Sequence, residues 1–174
     1  MSTLILINHI KEGSEMARQH KLLPQIADMI PEHHGTQLVR YFYNKAKEAE
    51  DLSRGEVKEA DFRYPGPIPS SKESACVALA DSIEAAARAC SEPTPLKLKA
   101  LVKDVINDKF EQGQLDNSHL TLRDLTMIAD SFARGLMAIH HHRIEYPVIR
   151  EKERRGGHGN PYPQTQKDED TQSV

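Results

Sequence analysis

The sequence predicts an all-α fold, a helical bundle, and three observations predict it. Apolar residues recur at helical spacing along most of the first 140 residues, no stretch alternates apolar and polar residues between hairpin turns, and capping signals stand where the periodic segments begin. With 174 residues and 38% hydrophobic content the chain can bury one modest core.

The first helix is expected from about Ser2 to His20. Leu23-Pro24 then breaks direction before a short helix near Gln25 to Ile30, which Pro31 should end because proline lacks the N–H that would continue the ladder. A third helix is expected from about His33, turning Leu38, Val39, Phe42 and Ala46 toward a core before the charged stretch Lys45 to Asp51. Asp61-Phe62-Arg63-Tyr64-Pro65-Gly66-Pro67 is too rich in proline to be helical and reads as a loop anchored by its aromatic residues.

Ser70 with Glu73 fits a capping box for a fourth helix with the stripe Cys76, Leu79, Ala80, Ile83, Ala87 and Cys90. Thr94 and Pro95 suit the N-cap and first position of a fifth, with Leu98, Leu101, Val102, Val105 and Ile106 inward and Gly113 as the C-terminal stop. Thr121 and Asp124 open a last helix, ending near His142, with Leu125, Ile128, Ala129, Phe132, Leu136 and Ile139 on one side. These elements form one domain over residues 1–147. Residues 148–174 carry almost no apolar side chains and are expected to be a disordered polar tail.

Composition narrows the function classes. A net charge of -3 offers no basic field for DNA or RNA. The longest apolar run, Leu4 to Ile7, falls far short of the roughly 20 residues that span a bilayer. Cys76 and Cys90 share one helical pattern without metal-type spacing, and the N-terminus lacks the flank of a signal peptide, so a reducing cytoplasm is the expected compartment.

Among the nine histidines, the pair His33-His34 between Pro31 and Gly35 carries the strongest signal. Neighbouring helical side chains diverge by about 100°, so both imidazoles reach one ion only at a helix end or irregular turn, which the flanking Pro and Gly permit. His9 alone, like His20 and His119, is more often an ordinary surface or core residue. Asp81 falls roughly 140° from the centre of its helix's apolar stripe, beside Glu84 and Arg88, where a solvated face and a cleft against another helix look the same. His140-His141-His142 reads as a solvated helix end that complements the dipole.

Asn8-His9-Ile10-Lys11-Glu12-Gly13 and His33-His34-Gly35-Thr36-Gln37-Leu38-Val39-Arg40-Tyr41-Phe42-Tyr43 resemble the latter half of a bacterial HD-domain phosphohydrolase. Asp61 to Pro67, Leu79-Ala80-Asp81-Ser82-Ile83-Glu84-Ala85-Ala86, Gly113-Gln114-Leu115-Asp116 and Arg143-Ile144-Glu145-Tyr146-Pro147 narrow the resemblance to the membrane-anchored, seven-transmembrane-receptor branch, whose cytoplasmic HD domain hydrolyses cyclic di-AMP. It covers about residues 2 to 147.

The resemblance implies a helical bundle with two divalent transition-metal ions, iron or manganese, that activate a nucleophile against a phosphodiester. Carried over by motif, His9, His33 and His34 match ligands of one ion and Asp81 matches a ligand of the other; no catalytic side chain beyond these is implied. The family's further histidine and its His-Asp pair have no counterpart, since the chain contains no His-Asp dipeptide. The expectation is a partial HD domain from a truncated, split or incompletely sequenced gene. Alone it should hold at most one ion and be inactive or weak, with exposed apolar faces that favour self-association or pairing with the missing N-terminal helices. Its membrane connection would run only through absent upstream spans. A non-catalytic helical module binding a nucleotide or a partner subunit is the alternative.

Overall fold

The structure is a computed structural model that describes residues 2–49 and 56–141. Its six α-helices are α1 (Ser2–Gln19), α2 (Pro24–Glu32), α3 (Arg40–Glu48), α4 (Lys72–Arg88), α5 (Pro95–Glu111) and α6 (Leu122–His141). The fold class is all-α: among the described residues the only β-type pairing is one isolated bridge between Leu38 and Arg63. No described helix is long and apolar enough to cross a membrane. The expected tail at 148–174, with Arg143 to Pro147 and His142, lies outside the described residues.

The core is the layer where α4, α5 and α6 meet. Ala75, Leu79, Ile83 and Ala87 of α4 pack with Leu98, Val102 and Ile106 of α5, Leu115, and Ala133 and Leu136 of α6. Each set recurs at three- or four-residue spacing, so one stripe per helix is removed from water, and this burial drives the packing. The caps fix where the stripes start. Thr94 accepts from the Lys97 N–H with Pro95 at the first helical position, and Thr121 and Asp124 exchange bonds in a capping box. Gly113, at φ +65, ends α5 in a left-handed turn.

Six expectations are corrected. Pro31 does not end α2: it lies inside its last turn, and the next available bond, His33 N–H to the Met29 carbonyl at 3.0 Å, resumes the ladder, so one lost bond near a terminus is tolerated. The third helix begins at Arg40 rather than His33, because residues 33–39 form a turn and an extended segment bonded to a distant loop; none of its residues is fully buried. The N-cap of α4 is Ser71, which accepts from the Ser74 N–H, whereas Ser70 is engaged by Glu32. The loop from Asp61 opens with a single 3₁₀ turn over Glu59–Phe62. Ile139, expected on the packed side of α6, is exposed, and α4 ends before Cys90.

α1 packs on α2 and α2 on α4. On α1, Ile10 and Ala17 are buried while Leu4, Ile5 and Met16 stay in solvent. The helix therefore carries more apolar surface than the described chain covers.

Candidate metal centre

A local turn and hydrogen bonds from distant parts of the chain assemble the histidines. His9 lies midway along α1, and His33 and His34 leave the C-terminal end of α2 where Gly35, at φ +56, turns the chain. Gln114 holds that turn from 78 residues away: its Oε1 accepts from the Thr36 N–H at 2.9 Å and its Nε2 donates to Thr36 Oγ1 at 2.9 Å. A Cβ on Gly35 would stand 2.3 Å from the same Oε1, so the close approach requires glycine. Arg63 donates to the Thr36 carbonyl at 2.9 Å, and the Val39 and Tyr64 N–H groups bond the Phe62 and Gln37 carbonyls.

Glu32, the buried last residue of α2, accepts from the Ser70 N–H at 3.1 Å and the Ser70 hydroxyl at 2.7 Å. The histidine pair is thereby tied to the start of α4, the helix that carries Asp81.

The resulting cluster is compact. His9, His33 and His34 each offer a donor atom within 4.8 Å of the others, the one such group among the described residues. His9 Nδ1 bonds the Leu6 carbonyl and His33 Nδ1 bonds the Ile30 carbonyl at 2.6 Å. A carbonyl only accepts, so both Nδ1 atoms carry the hydrogen, and in the neutral rings both Nε2 atoms are bare lone pairs. These two Nε2 atoms face each other at 3.4 Å. Two lone pairs at that distance repel unless a proton or a cation lies between them. Backbone carbonyls orienting imidazoles through Nδ1 are the usual outer partners of metal-bound histidines.

His34 completes the cluster with its ring centroid 4.0 Å from that of His33 and 5.1 Å from that of His9. Burial first, then the positive charge that His33, His9 and Lys109 can carry, pushes its pKa down to about 3. It is neutral at physiological pH and keeps a lone pair for an ion. Asp81 Oδ2 stands 3.5 Å from His34 Nδ1, a contact to a neutral ring and not a charge pair. The off-stripe position of Asp81 thus faces the histidine turn. Ligands of one first-row ion at about 2.1 Å lie up to about 4.2 Å apart, close to the 4.8 Å within which the three imidazole donors lie. Imidazole and carboxylate are both donors that divalent transition metals accept.

His20 and His119 are not in the cluster. Tyr64, Glu32, Gln114 and Lys109 are, in effect, its scaffold, and local periodicity singles out none of the first three. The Tyr64 ring stacks on His34 at 4.3 Å between centroids. Burial, with Asp81 nearby, raises its phenol above the ordinary value. Lys109 did carry a signal: it continues the stripe Leu98, Val102, Ile106, where a charge is out of place.

No family model matches the chain. Over 152 residues it is 41% identical to "Cyclic-di-AMP phosphodiesterase PgpH" of Bacillus subtilis (strain 168), a match to 87% of this chain and 21% of that protein. Over 143 residues it is 40% identical to the protein of the same name from Listeria monocytogenes serotype 1/2a (strain 10403S), covering 82% and 19%. The chain therefore spans about a fifth of the length of these curated relatives. The crystal structure of the L. monocytogenes PgpH HD domain in complex with cyclic-di-AMP superposes with a TM-score of 0.75 at 39% identity, over 83% of this chain and 66% of that one. Agreement of sequence and fold over the same stretch places the chain in the HD-domain phosphohydrolase family, on its PgpH branch.

Proposed function

We propose that this chain forms part of a metal-dependent phosphodiesterase domain that hydrolyses cyclic di-AMP in the cytoplasm. The observation that carries the metal reading is the pair of bare Nε2 atoms of His9 and His33, opposed at 3.4 Å and each fixed by an Nδ1 bond to its own helix. The substrate reading rests on relatives whose names specify cyclic-di-AMP and on a neighbour solved with that dinucleotide.

His9, His33 and His34 would hold one divalent iron or manganese ion, and Asp81 would serve a second. Such ions polarise the phosphoryl oxygens and make a water nucleophilic near neutral pH. The chain's own contribution is orientation. Gln114 and Gly35 set the turn that aims two adjacent imidazoles at one point, Glu32 ties that turn to α4, and burial keeps His34 unprotonated. Tyr64 covers one face of His34 and restricts its ring to the stacked orientation. The exposed Leu4, Ile5 and Met16 on α1 favour association with a further helical segment or a second copy.

The test is metal uptake followed by turnover. The purified chain is titrated with Mn²⁺ and assayed for cyclic di-AMP hydrolysis, alongside His33→Ala. Uptake of Mn²⁺ by the chain and its loss in His33→Ala is the expected result. Equal uptake by both proteins would refute the cluster as the site.

A further inference from the structure

Between α5 and α6 runs an open groove of about 450 Å³, and none of the residues that line it belongs to the histidine cluster. Ile106, Leu125 and Ala129 give it an apolar floor. Phe110 and Leu122 stand together at one end and leave 53% and 73% of their surface in solvent. Apolar surface exposed in one contiguous place marks a contact site more often than chance does.

The two helices run antiparallel. Leu98, near the start of α5, shares a small cavity with Met137, near the end of α6, while Phe110, near the end of α5, shares the groove with Leu122 at the start of α6. Counted from the turn that joins the helices, the two rims therefore match level by level. Phe110 and Leu122 stand at the turn. Asn107 lies four residues before the end of α5 and Thr126 four after the start of α6, each about 6 Å along its axis. Lys103 and Asp130 lie eight residues in by the same count, each about 12 Å along. One rim thus reads apolar, amide, cation, and the other reads apolar, hydroxyl, anion.

A two-fold axis along the groove exchanges the rims of two facing copies and keeps every residue at its level. Phe110 then meets the partner's Leu122, Asn107 the partner's Thr126 and Lys103 the partner's Asp130, and each pair is made twice. Lys103 and Asp130 are free to do so: both are exposed, and neither takes part in an ion pair among the described residues.

We propose that the α5–α6 groove is a self-association surface on which a second copy of this chain docks by two-fold symmetry, forming an antiparallel layer of four helices. The Phe110 and Leu122 end supplies apolar burial, and the Lys103 and Asp130 end sets the register, because a copy shifted by one helical turn leaves these charges unpaired. The inference does not depend on metal or substrate.

The experiment is sedimentation equilibrium of the full chain from micromolar to near-millimolar concentration, with far-ultraviolet circular dichroism to verify that each variant keeps its helices. The wild type should show a 19.6 kDa monomer in exchange with a species of twice that mass. Lys103→Glu and Asp130→Lys should each weaken the dimer at least about tenfold, since each sets like charges together at two places, and the double variant Lys103→Glu/Asp130→Lys should return to within about threefold of the wild type. Leu122→Glu should abolish the dimer, whereas Leu4→Glu, on the separate apolar surface of α1, should leave it unchanged. Carbodiimide treatment of mixed unlabelled and isotope-labelled wild type should join Lys103 of one copy to Asp130 of the other, and this result decides where a variant does not fold. A monomer at every concentration, a dimer that survives Lys103→Glu or Leu122→Glu, a double variant no better than the single ones, a dimer lost in Leu4→Glu, or no crosslink between the two isotopes each overturns the inference.

Discussion

Glu32 accepts both hydrogen bonds that Ser70 can donate, from its N–H at 3.1 Å and from its hydroxyl at 2.7 Å, and so joins the end of α2 to the start of α4 across 38 residues of chain. Burial alone would raise the Glu32 carboxyl, but the Ser74 and Ser70 hydroxyls and the Ser70 N–H outweigh it and the net shift is downward. Ser74 Oγ is itself buried without a hydrogen bond of normal geometry, so the direct hold is that of Ser70.

Glu32→Ala should therefore cost about 2 to 3 kcal/mol, since it leaves the Ser70 donors without their acceptor near the interior. Ser70→Ala removes only the hydroxyl bond and should cost about 1 kcal/mol. Urea unfolding of both variants measures the difference. Because Glu32 precedes His33 directly, the same substitution should weaken Mn²⁺ binding more than its effect on stability accounts for.

Three glycines give a graded test of the turn. Gly35→Ala combines a positive φ with a Cβ 2.3 Å from Gln114 Oε1, the atom that accepts from Thr36, and should lose about 2 kcal/mol or more. Gly113→Ala, at φ +65 with a Cβ 2.9 Å from the exposed Asp116 carboxylate, should lose about 1 kcal/mol. Gly135→Ala lies inside α6 with nothing within 4 Å and should gain about 0.5 to 1 kcal/mol. Thermal midpoints in the order Gly135→Ala, wild type, Gly113→Ala, Gly35→Ala are expected, and a neutral Gly35→Ala would refute the role of the turn.

Helices α4, α5 and α6 were legible because what defines them is local. The stripes through Leu79 and Ile83 or through Leu98, Val102 and Ile106 repeat within one helix, and the Thr94 and Thr121 caps act over three residues. The segment 33–39 was not legible as a turn, since it is fixed by Gln114 and Arg63, 78 and 27 residues further along the chain. For the same reason Ser70 looked like a cap: which of two adjacent serines caps α4 depends on Glu32. In the site, the motif around His33-His34 is visible in sequence, and periodicity places Asp81 away from the core. That it faces His34 rather than water depends on how α2 packs on α4.

Acid should weaken the metal-free protein through His34. Its pKa is about 3 in the folded chain against an ordinary 6.5, so between these values the unfolded chain binds the proton and the folded chain does not. Stability from this group is complete above about pH 6.5 and falls as pH drops toward 3. His34→Gln, which cannot titrate, should flatten that part of the stability profile. A profile with the same slope in His34→Gln would refute the assignment.

The last prediction concerns turnover and follows from the donor count. Two-metal hydrolysis of a phosphodiester needs ions about 3.5 to 4 Å apart, so that water is activated while both ions neutralise developing charge. By motif this chain offers His9, His33 and His34 for one ion and Asp81 alone for the other, and one carboxylate does not retain a second ion firmly. The 174-residue chain with Mn²⁺ should thus bind about one ion and hydrolyse cyclic di-AMP far more slowly than the L. monocytogenes PgpH HD domain assayed beside it. Joined to a helical segment that supplies the His-Asp pair, in the same polypeptide or as a second one, it should gain at least a hundredfold in rate, because the geometry that positions the nucleophile is then complete. In that assembled enzyme His33→Ala and Asp81→Asn should each abolish the gain. Rapid Mn²⁺-dependent hydrolysis by the chain alone would show that four donors suffice, and no hydrolysis by the assembled enzyme would refute cyclic di-AMP as the substrate.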